Sequence, residues 1–232
     1  MAFRLSEARR AMKAVNADPD NTEQAIRAIA AMAGGSQERC FRRFKKSARG
    51  AQILRERTEL FDVLSDLNYL GSLPEGSLGK AIWTFYTTEE LSAQGLKGAS
   101  AAAGDGNGPE ADSDIARFGR RMRDLHDIFH VLTGYGRDMR GEVACLAFTF
   151  AQTWNTGWVI SSFAPSKGAG WRSPLGLLTR QAFRRGRQSQ WLIDQDWQAL
   201  LAQPLETLRT DLGIGPAPIY QQVRSPGAPA LT

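Results

Sequence analysis

One segment constrains the fold more than any other. Ile115, Phe118, Met122, Leu125, Phe129 and Leu132 recur at steps of three or four. At about 100° per residue they make one apolar stripe, the signature of an amphipathic helix laid on a core. The chain contains two histidines, and both, His126 and His130, fall in this segment with Asp127 between them. They lie one turn apart on a face adjacent to the stripe. Gly134 and Gly136 break the helix, Arg137 to Arg140 make a short turn, and Gly141-Glu142 opens the next helix. Glu142 follows His130 by twelve residues. That spacing allows the second helix to fold back and bring its carboxylate to the imidazoles.

Helix signals dominate elsewhere. Asp20-Asn21-Thr22 precedes EQAIRAIAAMA, which Gly34-Gly35 stops. The run from Glu59 to Tyr69 places Leu60, Phe61, Leu64 and Leu67 on one face. The loop LPEGSLG (Leu73 to Gly79) leads into a helix through Trp83, Phe85 and Tyr86. Residues 98–113, GASAAAGDGNGPEADS, predict a mobile loop. Val159 to Phe163 is the one strand-like patch. The expected architecture is a single all-α domain, mostly a helical bundle. It divides into an N-terminal helical extension (1–50), a metal-binding helical domain (51–214) and a Pro-rich, extended or disordered tail (215–232).

Composition removes other classes. The 232 residues include 42% apolar and 23% charged side chains, which excludes a disordered or collagen-like chain. Cys40 and Cys145 give no disulfide framework and no CxxC, so the chain reads as intracellular and reduced. The N-terminus lacks the apolar core of a secretory signal, and Glu7 and Asp18 argue against a transit peptide. Val143 to Ser166 carries no charge and is long enough to cross a bilayer. Gln152, Thr153, Asn155, Thr156, Ser161 and Ser162 within it favour a buried or surface-lying helix followed by a loop.

The chemistry of His126, Asp127, His130 and Glu142 is metal binding. Two neutral imidazoles and two carboxylates make a mixed N/O site suited to zinc, or to iron, cobalt or manganese. The competing reading makes both histidines polar residues on a solvated helix face. The concentration of every histidine in one pair, with suitably spaced carboxylates, favours the metal. The HExxH pattern of zincins fails, because Asp127 stands where its Glu would be. The HD phosphohydrolases need upstream histidines that this chain lacks.

The charge of +5 is local. Residues 143–193 contain Lys167, Arg172, Arg180, Arg184, Arg185 and Arg187 and no Asp or Glu. Trp154, Trp158, Trp171 and Trp191 share the stretch. Ser173-Pro174 starts a helix with Arg180, Arg184 and Arg187 on one face and Leu175, Leu178 and Ala182 on the other. Arginine with tryptophan suits an anionic membrane interface. The bland reading is a solvated arginine face over core tryptophans. A nucleic-acid groove is disfavoured, since no recognised module is present.

His126-Asp127-x-x-His130 followed after eleven residues by Glu142, within RDLHDIFHVLTGYGRDMRGE, resembles the signature of the coenzyme Q biosynthesis protein 4 family. LPEGSLGKA (Leu73 to Ala81), AFRRGR (Ala182 to Arg187) and LRTDLGI (Leu208 to Ile214) are similar to further segments of that family. The resemblance runs from about Leu60 to Ile214, without residues 1–50 or the Gly-rich loop. It implies a mostly helical fold with His126, Asp127, His130 and Glu142 as ligands of a divalent metal, usually zinc. It further implies removal of the C1 carboxyl of a polyprenylated 4-hydroxybenzoate, with hydroxylation at that carbon. The implied partners are that lipid substrate, a membrane surface, other ubiquinone-biosynthesis proteins and a second copy of the chain. The implied location is the cytoplasmic, inner-membrane face, peripherally attached. A second reading is a lipid-binding scaffold with a structural metal, and a third is a hydrolase outside quinone chemistry. With no spare histidine, the general acid is a carboxyl, a tyrosine such as Tyr135, or metal-bound water.

Overall fold

The computed structural model describes residues 3–17, 21–91 and 112–224, together with positions 95 and 98. Among the described residues no strand forms, and thirteen helices carry the fold, which is all-α as expected. The first seven are α1 (Leu5–Ala17), α2 (Thr22–Ala33), α3 (Ser36–Lys46), α4 (Ala48–Glu56), α5 (Leu60–Leu64), α6 (Leu67–Ser72) and α7 (Leu78–Thr88). They are followed by α8 (Asp114–Thr133), α9 (Met139–Thr153), α10 (Gly157–Ala169), α11 (Pro174–Gln188), α12 (Trp197–Leu200) and α13 (Leu205–Asp211).

The stripe read from the sequence is the face by which α8 enters the core. Phe118, Leu125, Phe129 and Leu132 are fully buried, and α8 packs on α3, α5, α7, α9 and α13. Ser113 caps its start by accepting from the Ala116 amide at 3.3 Å. Gly134 ends it in the left-handed region, φ 76°, and donates to the His130 carbonyl. Asp138 then caps α9, accepting from the amides of Arg140 and Gly141.

The last carbonyls of α8 are buried, and two arginines from distant segments satisfy them. Arg209 donates to the Leu132 and Val131 carbonyls at 2.9 and 3.0 Å. Arg185 donates to the Thr133 carbonyl at 3.0 Å and to those of Ile214 and Pro216 at 3.1 and 2.9 Å. Arg185 was grouped by sequence with a basic surface. The structure buries it, because only a fork of donors can serve carbonyls from two segments at once. α9 and α11 approach closely at Gly186, where a Cβ would meet Ala151 Cβ and the Phe148 carbonyl at 2.8 Å.

Several expectations change. The helix expected over Glu59 to Tyr69 is two, α5 and α6, because Asp66 turns aside to cap the Tyr69 amide. The strand-like patch Val159 to Phe163 lies inside α10. Packing of α10 on α2 overrides its β propensity. The uncharged run is thus two helices joined by Trp154, Asn155 and Thr156. From the segment before residue 51, Cys40 and Phe44 share one apolar core with Leu125 and Phe148. Up to Arg224 the Pro-rich tail is a docked strap. Tyr220 donates to Asp138 Oδ2 at 2.6 Å and accepts from the Gly136 amide. Met139 donates its amide to the Val223 carbonyl, and Arg224 pairs with the buried Glu89. Residues 99–111 of the Gly-rich loop and the tail beyond Arg224 lie outside the described residues.

Replacing Arg185 by leucine strands the Thr133 and Ile214 carbonyls. The expected cost is about 3 kcal/mol, read as a lower urea midpoint at constant m. Arg180→Leu, on the exposed side of the same helix, should stay within about 0.5 kcal/mol.

Candidate metal centre

α8 presents His126 and His130 from successive turns, with their Nε2 atoms 3.1 Å apart and their rings nearly perpendicular at 79°. The Gly134–Asp138 turn returns the chain so that Glu142, in the first turn of α9, sets Oε2 at 3.3 Å from both nitrogens. His130 is 2% exposed, and its Nδ1 lies 2.8 Å from the Tyr135 carbonyl. A carbonyl only accepts, so Nδ1 carries the hydrogen and Nε2 turns its lone pair inward. Phe85 stacks on the His130 ring, and Trp158 lies nearly parallel to the His126 ring, 12° off.

Three electron-pair donors therefore face one another at 3.1, 3.3 and 3.3 Å. A tetrahedral ion with nitrogen and oxygen donors at about 2.0–2.1 Å separates them by about 3.3–3.4 Å. The donor set and its spacing fit a divalent metal. In the metal-free chain, protons do the cation's work. Burial lowers the His126 pKa, but Cys145 and Glu142 outweigh it and lift the value to about 9. His130 is raised well above its ordinary value by Cys145 and Glu142 against the same burial. Burial opposes ionisation of Glu142, yet the two imidazoles hold it far below the usual carboxylate range.

Asp127 is placed differently from the other three. Its Oδ2 accepts from the buried Tyr86 hydroxyl at 2.9 Å. Burial raises its pKa against the pull of His126 and of the Tyr86 hydrogen bond. Sequence reasoning missed Cys145. Its sulfur is fully buried and stands 3.9 Å from His126 Nδ1, within 4.8 Å of a ligand atom from each histidine. The signal was present in the spacing: Cys145 follows Glu142 by three residues, so both project from one face of α9. Burial raises the thiol pKa, and His130 and His126 bring it down to about 7. Tyr86 was also missed, since nothing local links it to Asp127 forty-one residues away. Tyr135, considered as an acid, is buried beneath the Arg185 guanidinium, which lies 5.1 Å from its ring centre, and lends the site its carbonyl instead.

His126, Asp127, His130, Glu142 and Trp158 line a cavity of about 980 Å³. Met12, Val15, Ile26, Ile29, Met122 and Leu146 supply apolar wall, and Arg123, Arg137 and Arg140 supply positive charge.

The family described as Coenzyme Q (ubiquinone) biosynthesis protein Coq4 matches residues 7–218. The chain belongs to the Coq4 family. The match reaches well before Leu60, so α1 to α4 are part of what the family shares. The mitochondrial ubiquinone biosynthesis protein coq4 of Neosartorya fischeri is 32% identical over 179 residues, covering 76% of this chain and 60% of that protein. The mitochondrial COQ4 homolog of Rattus norvegicus is 31% identical over 184 residues, covering 77% and 65%. The chain thus spans less than two thirds of the length of these relatives. A crystal structure of a Nostoc punctiforme protein assigned to ubiquinone biosynthesis superposes with a TM-score of 0.69 at 21% identity, over 93% of this chain and all of that one. That likeness establishes the shared fold. Among the described residues, no helix is long and apolar enough to cross a membrane.

Two outcomes follow from the Coq4 centre. His130→Ala should abolish stoichiometric metal by elemental analysis, and full occupancy in that variant would refute the ligand assignment. Metal binding must displace the protons that His126 holds up to about pH 9. Apparent affinity should therefore rise with pH below that value, about tenfold per unit for each proton released. Titration against a competing chelator at pH 6, 7 and 8 reads the slope.

Proposed function

We propose that this Coq4-family chain is a metal-dependent decarboxylase of ubiquinone biosynthesis. Its substrate is a polyprenylated 4-hydroxybenzoate that loses its C1 carboxyl as CO2; in the oxidative form a hydroxyl from water takes the carboxyl's place and dioxygen, the two-electron oxidant, leaves as hydrogen peroxide. One juxtaposition supports the reading: the converging His126, His130 and Glu142 donors share a single cavity with a long apolar wall. At about 980 Å³ the cavity is at the upper end of the range for small-molecule sites. A prenyl chain matches the apolar wall, and a hydroxybenzoate head matches the donors and arginines.

His126, His130 and Glu142 would hold the metal, with Asp127 as the fourth ligand. Zinc suits this set best, with iron, cobalt or manganese as substitutes. The bound cation supplies Lewis acidity toward the substrate's oxygens. The chain's own residues do the rest. Arg137 lines the cavity with its Nε 3.8 Å from Glu142 Oε1, and presents a positive charge to the substrate carboxylate. Trp158 makes a flat wall beside His126 against which an aromatic ring can lie. Asp127 has its Oδ2 held by the Tyr86 hydroxyl, which fixes the orientation of the carboxylate. Other proteins of the pathway, which supply the prenylated acid and take its product, are the expected partners.

The test uses metal-loaded protein, air and a prenylated 4-hydroxybenzoate labelled at the carboxyl. Labelled CO2 should be released in proportion to protein, and Glu142→Ala should lower the rate about 100-fold. Retention of the label by protein that keeps its metal and binds the acid would overturn the enzyme reading. It would leave a lipid-binding scaffold with a structural metal.

A further inference from the structure

The two imidazoles of the candidate metal centre are braced differently. Each turns Nε2 toward Glu142, and each has Nδ1 on the other side of its ring. For His130 that outer nitrogen meets the Tyr135 carbonyl at 2.8 Å. The His130 side chain is 1% exposed and Phe85 stacks on its ring, so it is walled in. The His126 side chain is 21% exposed and borders the cavity. A half-turn of the His126 ring would carry Nε2 away from Glu142 unless something holds Nδ1.

What stands at His126 Nδ1 is the sulfur of the fully buried Cys145, 3.9 Å away. Cys145 and Glu142 share one face of α9, so that helix reaches the His126 ring at both nitrogens. Glu142 Oε2 lies 3.3 Å from Nε2, and Cys145 Sγ lies at Nδ1. A cation held by Nε2 needs the lone pair there, so the single hydrogen of the neutral ring sits on Nδ1. A hydrogen placed there needs an acceptor, and in metal centres the acceptor fixes the ring. Sulfur is able to accept it. The opposite assignment, with the thiol donating to Nδ1, puts the ring hydrogen on Nε2. It would then point at the other donors and leave no lone pair for a cation.

We propose that Cys145 is a positioning residue of the metal centre: its sulfur accepts the His126 Nδ1 hydrogen, fixes the tautomer and orientation of that ring, and so sets Nε2 as the metal donor. It does for His126 what the Tyr135 carbonyl does for His130. The inference rests on the metal-centre reading and is independent of the decarboxylation. A competing role is close at hand, because Cys145 Sγ lies within 4.8 Å of a ligand atom from each histidine, near enough for a thiolate to bind the cation itself. The nitrogen that faces the sulfur decides between the two. The hydrogen-bond contact of Sγ is with Nδ1, whereas Nε2 is the atom turned to His130 and Glu142.

The test compares the full chain with C145V, which keeps the volume of the buried side chain but removes the acceptor, and C145S, which keeps an acceptor. Zinc is titrated into each against a competing chelator. C145V should bind zinc about tenfold more weakly, with C145S between it and the unaltered chain. Nitrogen-15 spectra of the zinc-loaded, histidine-labelled chain read the tautomers of its two imidazoles. Both should carry Nδ1–H, and the His126 Nδ1–H should exchange faster with water in C145V. The cobalt(II)-loaded chain should show ligand-field bands without thiolate-to-metal charge transfer. A charge-transfer band that C145V removes overturns the proposal, because it makes the sulfur a ligand. A lowered melting temperature with unchanged zinc affinity and unchanged exchange overturns it too, because it leaves Cys145 as core packing alone. Circular dichroism checks folding, and C145S carries the same comparison if the valine variant fails to fold. Failure of the unaltered chain to bind zinc sinks the metal centre and this inference with it. Zinc binding that depends on Cys145 without release of CO2 keeps the inference and removes only the decarboxylase reading.

Discussion

The carbonyl end of α8 is the point on which both the fold and the site depend. A helix leaves its last carbonyls without intrahelical partners, and burial makes each of them costly unless something donates. Here Arg209 and Arg185 supply the donors, reaching from α13 and α11 to Val131, Leu132 and Thr133. The same Arg185 holds the Ile214 and Pro216 carbonyls, so the cap also fixes the start of the C-terminal strap. His130 lies in this last turn, and its Nδ1 takes its partner from Tyr135 in the turn that follows. Loosening the cap would loosen an imidazole. The strap reinforces the arrangement from the other side, since Tyr220 ties Asp138 to Gly136 and so sets the angle at which α9 delivers Glu142.

A site built this way is electrostatically unfinished without a cation. His126, His130 and Glu142 point lone pairs at one another in a largely apolar cavity, where unpaired donors are expensive. Raised imidazole pKa values and a lowered carboxylate pKa express the same demand for positive charge. Protons meet it partly, and a divalent ion meets it with one particle at the same spacing. The partners behind the donors are already in place: the Tyr135 carbonyl behind His130, Cys145 sulfur beside His126 Nδ1 and the Tyr86 hydroxyl on Asp127. Such outer partners fix tautomers and ring orientation before any ligand arrives.

The legible part of this protein was the part written in local spacing. The stripe from Ile115 to Leu132, the two histidines one turn apart and the return of Glu142 all follow from helical period and glycine breaks. Contacts between distant segments were not legible. Tyr86 meets Asp127 across forty-one residues, and Cys145 gains its meaning only when α9 lies against α8. Val159 to Phe163 misled because β-branched residues carry a weak preference that packing on α2 overrides. Arg185 misled for a different reason. Its neighbours Arg184 and Arg187 are surface residues, and composition cannot say which member of an arginine run turns inward.

That division of labour within α11 bears on how the chain combines its tasks. A turn of roughly 100° per residue sets Arg184 outward and Arg185 inward. One helix therefore braces the histidine-bearing helix α8 with its inner arginine and offers charge to the exterior with its outer ones. The glycine contact at Gly186 presses this helix against α9, whose opposite end carries Glu142 and Cys145. The candidate metal centre and the outer face of α11 are thus linked through α9, which carries Glu142 at one end and packs on Gly186 near the other.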